Sequence, residues 1–155
     1  MRYILALLLT LWLNPASAQW GGGGGATINN TVAGAQRVLC SIRAANMNIT
    51  TDQLCTIPAG VMAWAPTSLL VTNCSATPTL AVGGFYPAVS KGGTPMVAAS
   101  QAYSTLTTSA LVLVPALAAN IATNRYTINS TYFSLTTAAG GASLCDIYLI
   151  GTDLT

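Results

Sequence analysis

Thr131-Tyr132-Phe133-Ser134-Leu135-Thr136-Thr137-Ala138-Ala139-Gly140-Gly141-Ala142-Ser143-Leu144-Cys145-Asp146-Ile147-Tyr148-Leu149-Ile150 is the stretch whose reading decides the fold class. Thr131–Thr137 and Ser143–Ile150 both alternate, and successive side chains of a strand point to opposite faces. Phe133 and Leu135 therefore share one side, as do Cys145, Ile147 and Leu149. Asp146 and Tyr148 fall on the other side, so Asp146 reads as a solvent-facing strand residue rather than a ligand. Ala138-Ala139-Gly140-Gly141 reads as a short hairpin connection, because glycine reaches positive φ without strain.

Working outward, the same signals recur. Short apolar runs are expected as strands over Arg37–Ile42, Gln53–Ile57, Val61–Ala65, Ser68–Cys74, Thr79–Val82, Met96–Ala99, Tyr103–Leu106 and Leu111–Val114. Pro66 marks an edge, a bulge or a break, since proline donates nothing to a ladder. Gly83-Gly84 and Lys91-Gly92-Gly93-Thr94-Pro95 read as turns, and Ala116–Thr123 as a helical turn or loop. Seven to nine short strands drawn from these segments, without a long amphipathic helix, predict an all-β single domain over 36–155, an antiparallel β-sandwich or jelly roll.

The N-terminus has a different character. Met1-Arg2 is positive, Tyr3–Leu13 is apolar, Asn14-Pro15 breaks the run, and Ala16-Ser17-Ala18 is a small-x-small cleavage site. That order predicts a signal peptide over 1–18, and the apolar run is shorter than the roughly 20 residues a spanning helix needs. The expected location is therefore exported: periplasmic, extracellular or on a virion surface, with no membrane span in the mature chain. Gly21–Gly25 makes 19–35 read as a flexible linker. Four cysteines, Cys40, Cys55, Cys74 and Cys145, suit two disulfides in an oxidising compartment. Three connectivities are open. The preferred one joins Cys40 to Cys55 as a local staple and Cys74 to Cys145 as a tie to the last strand. No metal is expected, because close paired cysteine spacing and histidine are both absent.

Charged residues make up only 5% of the chain, against about 25% in ordinary domains. Beyond the leader, Arg37, Arg43, Lys91 and Arg125 stand against Asp52, Asp146 and Asp153. There is no basic stripe for nucleic acid, and little self-repulsion to keep copies apart. The chain has no histidine and no glutamate, which excludes Ser-His-Asp and Cys-His machinery. Ser90-Lys91 reads as a surface turn rather than a catalytic dyad, and no phosphate-cradling glycine motif is present. The domain is expected to be non-enzymatic and to carry no cofactor. Trp64 and Tyr86 are candidate ligand-stacking residues, which a carbohydrate-binding module or adhesin would use, although the aromatics of a small β domain more often belong to its core or rim.

Several blocks carry a family resemblance: Thr50-Thr51-Asp52-Gln53, Ile57-Pro58-Ala59-Gly60, Ser90–Pro95, Val97–Thr107, Thr131–Ala138 and Asp146–Gly151. They are similar to a group of small, largely uncharacterised β-rich proteins associated with bacteriophage and prophage structural regions. The resemblance covers about two-thirds of the chain; the leader and the cysteines are additions to it. It implies a virion-surface role, such as a head decoration or fibre component, with protein partners met by self-association or in a virion or cell-surface lattice.

Overall fold

The computed structural model describes residues 34–107, 112–119, 121 and 124–155. The expected signal peptide and all of the expected linker before Gly34 lie outside them. Seven strands follow in chain order: β1 Gln36–Asn46, β2 Gln53–Thr56, β3 Trp64–Thr72, β4 Val82–Tyr86, β5 Val112–Leu113, β6 Ser130–Thr137 and β7 Leu144–Asp153. They form a four-stranded sheet ordered β1-β7-β3-β5 and a three-stranded sheet ordered β2-β6-β4. All pairings are antiparallel. The two sheets pack face to face as a β-sandwich, the fold class the alternation predicts.

Chain order and sheet membership alternate throughout. Each strand from β1 to β7 lies in the sheet opposite its predecessor. No two consecutive strands pair, so the expected β6–β7 hairpin does not form. β6 instead runs between β2 and β4, and β7 between β1 and β3. The inward faces are nevertheless those the alternation assigns. Phe133, Leu135, Cys145, Ile147 and Leu149 all lie in the core, with Leu39, Leu69, Val71 and Phe85 opposite or beside them. Those nine apolar side chains have left water from both sheets, each worth roughly 1.5–3 kcal/mol when fully buried.

Pro66 lies inside β3 rather than between two strands. Trp64 exchanges backbone bonds with Tyr126 at 2.9 and 2.8 Å. Two residues on, the proline nitrogen points to that same edge, and β5 pairs only with Val71 and Thr72. No donor is required there, and a register shift between Pro66 and Ser68 absorbs the misfit. Gly83-Gly84 is also inside a strand. A Cβ at Gly84 would collide with the Val97 carbonyl oxygen, so this glycine is required by close backbone approach and not by a turn. Gly140, at φ +79°, does serve a turn.

The expected strands at Met96–Ala99 and Tyr103–Leu106 are irregular segments. Val97 makes isolated bridges to Phe85 and Leu117, and Tyr103 begins a turn closed by Leu106 N–H on its carbonyl at 3.0 Å. Their apolar side chains still reach the core, where Tyr103 meets Phe133 edge-on at 5.6 Å. Thr79–Val82 gives way to a strand that starts at Val82. At the other end, pairing begins before Gln36: the Gly34 amide donates to the Asp153 carbonyl, and the Asp153 amide donates to Ala35.

Candidate functional site

The cysteines pair in the preferred way, Cys40–Cys55 and Cys74–Cys145. The first joins β1 of one sheet to β2 of the other. The second ties Cys74, two residues beyond β3, to β7. Among the described residues no thiol is free, and no group of three or more acidic, cysteine or histidine side chains is placed to hold a metal. Disulfides of this kind belong to oxidising compartments. Among the described residues, no helix is long and apolar enough to cross a membrane.

The acidic side chains hold backbone in place. Asp146 is buried, in contrast to the solvent-facing position expected for it. It sits opposite a bulge where β1 shifts register between Ile42 and Ala45. Its carboxylate accepts the Ala44 amide at 3.0 Å, the Arg43 guanidinium at 2.9 Å and the Asn73 side-chain amide at 3.2 Å. Ala44 and Asn73 are both left-handed, at φ 51° and 52°. Parity alone gave the right face for Asp146 and the wrong environment, because the bulge folds over it. The Ala44 amide, then Asn73 and Arg43, hold this carboxyl below its ordinary pKa against the opposing effect of burial.

Asp153 is fully buried at the end of β7. Burial pushes its pKa up, but the Thr155 amide and hydroxyl and the Arg37 charge outweigh that and leave it lowered. Arg37 approaches its Oδ2 at 3.2 Å. Asp52 accepts the Ser90 amide. Ser90 and Lys91 form the expected turn, both left-handed at φ 56° and 59°, and the Lys91 ammonium donates to the Thr50 carbonyl at 3.3 Å. A shallow depression lies between these residues.

The two candidate ligand-stacking aromatics are not presented to solvent. Trp64 is 0% exposed; its ring stacks on Tyr126 with centroids 4.8 Å apart, and Nε1–H donates to the Ile128 carbonyl at 2.9 Å. It is a core residue because β3 turns that parity inward. Tyr86 is 2% exposed and lies beside Tyr132 on the outer side of the three-stranded sheet. Burial, and then the Asp52 charge, push its phenol pKa up. Tyr132 is half-buried and borders a groove of about 510 Å³ with Pro87, Val89, Asn129 and Ser130. Its signal in the sequence was available: Tyr132 has opposite parity to the core residues Phe133 and Leu135.

The outer face of the four-stranded sheet is the other unusual surface. Register places Val38, Ile150 and Ser68 in one row across it, and Ser41, Tyr148 and Leu70 in the next. Asp146, Thr72 and Val112 follow. Val38 and Val112 are 50% and 57% exposed. Arg43 covers the Tyr148 ring at 4.9 Å from its centroid. Such a face is charge-poor and carries Val38, Ile150, Tyr148, Leu70 and Val112 among Ser41, Ser68 and Thr72, where solvent-facing sheets are usually more polar. No protein-family model matches the chain, and neither a curated protein nor a solved structure matches it.

Proposed function

We propose that this chain is an exported, non-enzymatic structural protein that works by packing against protein surfaces, as a virion decoration or fibre component does. The observation that carries this reading is the use made of the acidic groups. All three aspartates are engaged by backbone amides or arginines that hold the fold, and the chain has no histidine or glutamate to take their place in proton transfer. The two disulfides and the signal-like leader support export, and the near-neutral surface favours close packing between copies. Immunogold electron microscopy of phage particles and of producing cells tests it. Label on particles, or on an ordered surface layer, is the expected result. Recovery of the protein only as a free species in the medium would refute it.

A second reading is favoured by the Tyr132 groove, which has an aromatic ring, an amide and hydroxyls but no charge at its edge. That chemistry suits a neutral saccharide, stacked on the ring and hydrogen-bonded at its hydroxyls. A glycan array probed with the wild type and with Tyr132→Ala tests it: binding lost in the variant supports the reading, and no binding by the wild type removes it.

A further inference from the structure

We infer that the outer face of the four-stranded sheet docks onto the same face of a second copy of this chain. The inference rests on the assembly reading above and names its partner and its surface.

The registered rows bring Val38, Ile150, Tyr148, Leu70 and Val112 onto one side of four adjacent strands. They come from four separate segments, so no single stretch of sequence displays the patch. The charged groups on that face are Arg43 and Asp146, which neutralise each other at 2.9 Å. Two copies brought face to face therefore meet without like-charge repulsion, and the apolar members of the rows, Val38 with Ile150 and Tyr148 with Leu70, can meet their counterparts. A two-fold axis makes such a contact self-complementary, and aligned sheets pack about 10 Å apart with a small crossing angle.

Area argues for a partner of equal extent. The three long strands β1, β7 and β3, of about ten residues, span roughly 34 Å in length and, about 4.8 Å apart, roughly 14 Å in width, with the two-residue β5 adding little. The face is then on the order of 500 Å² before side-chain relief, below the ~800 Å² per partner of a standard interface and in the range of weak ones. Only a flat surface covering the whole sheet uses all of that area, and a second copy supplies one with matching size and twist. Edge-to-edge pairing is the poorer route. β1 is broken by register shifts after Val38 and Ile42, β2 has four residues, and such interrupted or short edges resist strand addition.

Sedimentation velocity of the mature chain from about 1 µM to about 1 mM tests the inference, a range that brackets weak interfaces. A concentration-dependent dimer is expected. Val38→Lys and Val112→Lys, at half-exposed positions the fold does not need, place like charges across the two-fold axis and are expected to weaken dimerisation at least tenfold. Leu54→Lys, at an equally exposed apolar site on the other sheet (55%), is expected to leave it unchanged. Circular dichroism confirms that each variant folds. A monomer at every concentration overturns the inference, whether the face is covered by residues 19–33 of the same chain or by another protein. Dimerisation lost in Leu54→Lys but kept in Val38→Lys overturns it as well. The two readings fail separately. A wild-type chain that decorates particles yet stays monomeric in solution ends this inference alone, and a dimer sensitive to Val38→Lys but absent from any particle or layer ends the assembly reading alone.

Discussion

Replacing Asp146 tests the claim that this carboxylate holds three strands together. In Asp146→Ala the Ala44 amide loses a charged acceptor, a bond worth about 1.5–3 kcal/mol. The Arg43 pair contributes less than about 1 kcal/mol, because the arginine side chain is 68% exposed and solvent screens it. The Asn73 contact adds a similar small amount, and the left-handed Ala44 keeps its steric cost of about 1–2 kcal/mol with no bond to offset it. The expected loss is about 3 kcal/mol. For a domain of this size that lowers Tm by roughly 10 °C. Asp146→Asn keeps an oxygen for Ala44 but turns a donor toward Arg43 or Asn73, so about 1–2 kcal/mol is expected. The pH dependence separates charge from shape. The folded pKa of Asp146 lies below its ordinary value, so its charge contributes stability above the unfolded pKa, and that contribution is lost as pH falls through the folded one. The gap between wild type and Asp146→Asn should therefore be full at pH 7 and narrow in strong acid. Urea unfolding of the three proteins with disulfides intact, at about pH 7 and about pH 2, reads both effects. An Asp146→Ala loss under about 1 kcal/mol, or an Asn gap undiminished in acid, would refute the reasoning.

The disulfides should differ in weight. Cys40–Cys55 closes 15 residues and Cys74–Cys145 closes 71, so chain entropy assigns them about 3 and about 4.4 kcal/mol; paired Cys→Ser variants compared by urea unfolding should lose more stability for the second. Gly84→Ala should cost about 1–3 kcal/mol, because a Cβ would strike the Val97 carbonyl. Gly141→Ala, with nothing within 4 Å of its Cβ, should stay within about 0.5 kcal/mol; equal effects in a thermal scan would refute the packing argument. Trp64→Phe leaves the Ile128 carbonyl without its indole donor and should cost about 1–3 kcal/mol by the same urea assay.

Faces were legible in this sequence and partners were not. Parity along Thr131–Thr137 and Ser143–Ile150 placed Phe133, Leu135, Cys145, Ile147 and Leu149 correctly, because burial depends only on which side of a strand a residue occupies. Pairing depends on residues far away in the chain. Nothing local to Ala138–Gly141 says whether that turn folds β7 back beside β6 or carries it to the opposite sheet. Tyr103 and Met96 show a second limit. Apolar runs fill a core equally well from strands or from loops, so their composition suggested strands that pairing did not provide. Asp146 shows a third: parity cannot register a bulge in a neighbouring strand. Trp64 and Tyr86, candidates for a stacking surface, are buried, whereas Tyr132, whose parity opposes the core residues Phe133 and Leu135, borders the groove.

The alternation between sheets explains why the disulfides and aspartates sit where they do. With no paired neighbours in sequence among the described strands, each sheet contact must close a long loop before it gains anything, which slows folding and leaves edges exposed meanwhile. A chain with so few charges cannot rely on repulsion to stay apart during that interval. Cys40–Cys55 fixes one strand of each sheet across the core using a short loop. Asn46 and Gln53 reinforce the same junction with reciprocal bonds of 2.7 and 2.9 Å. Asp146 then ties β7, the last strand, to the bulge of β1 and the end of β3. The polar groups that the sequence does retain are thus concentrated at the joints between distant segments. Asp146 and Arg43 do that work at one end of the outer face of the four-stranded sheet, and the rest of that face, from Val38 to Leu70, carries no charge.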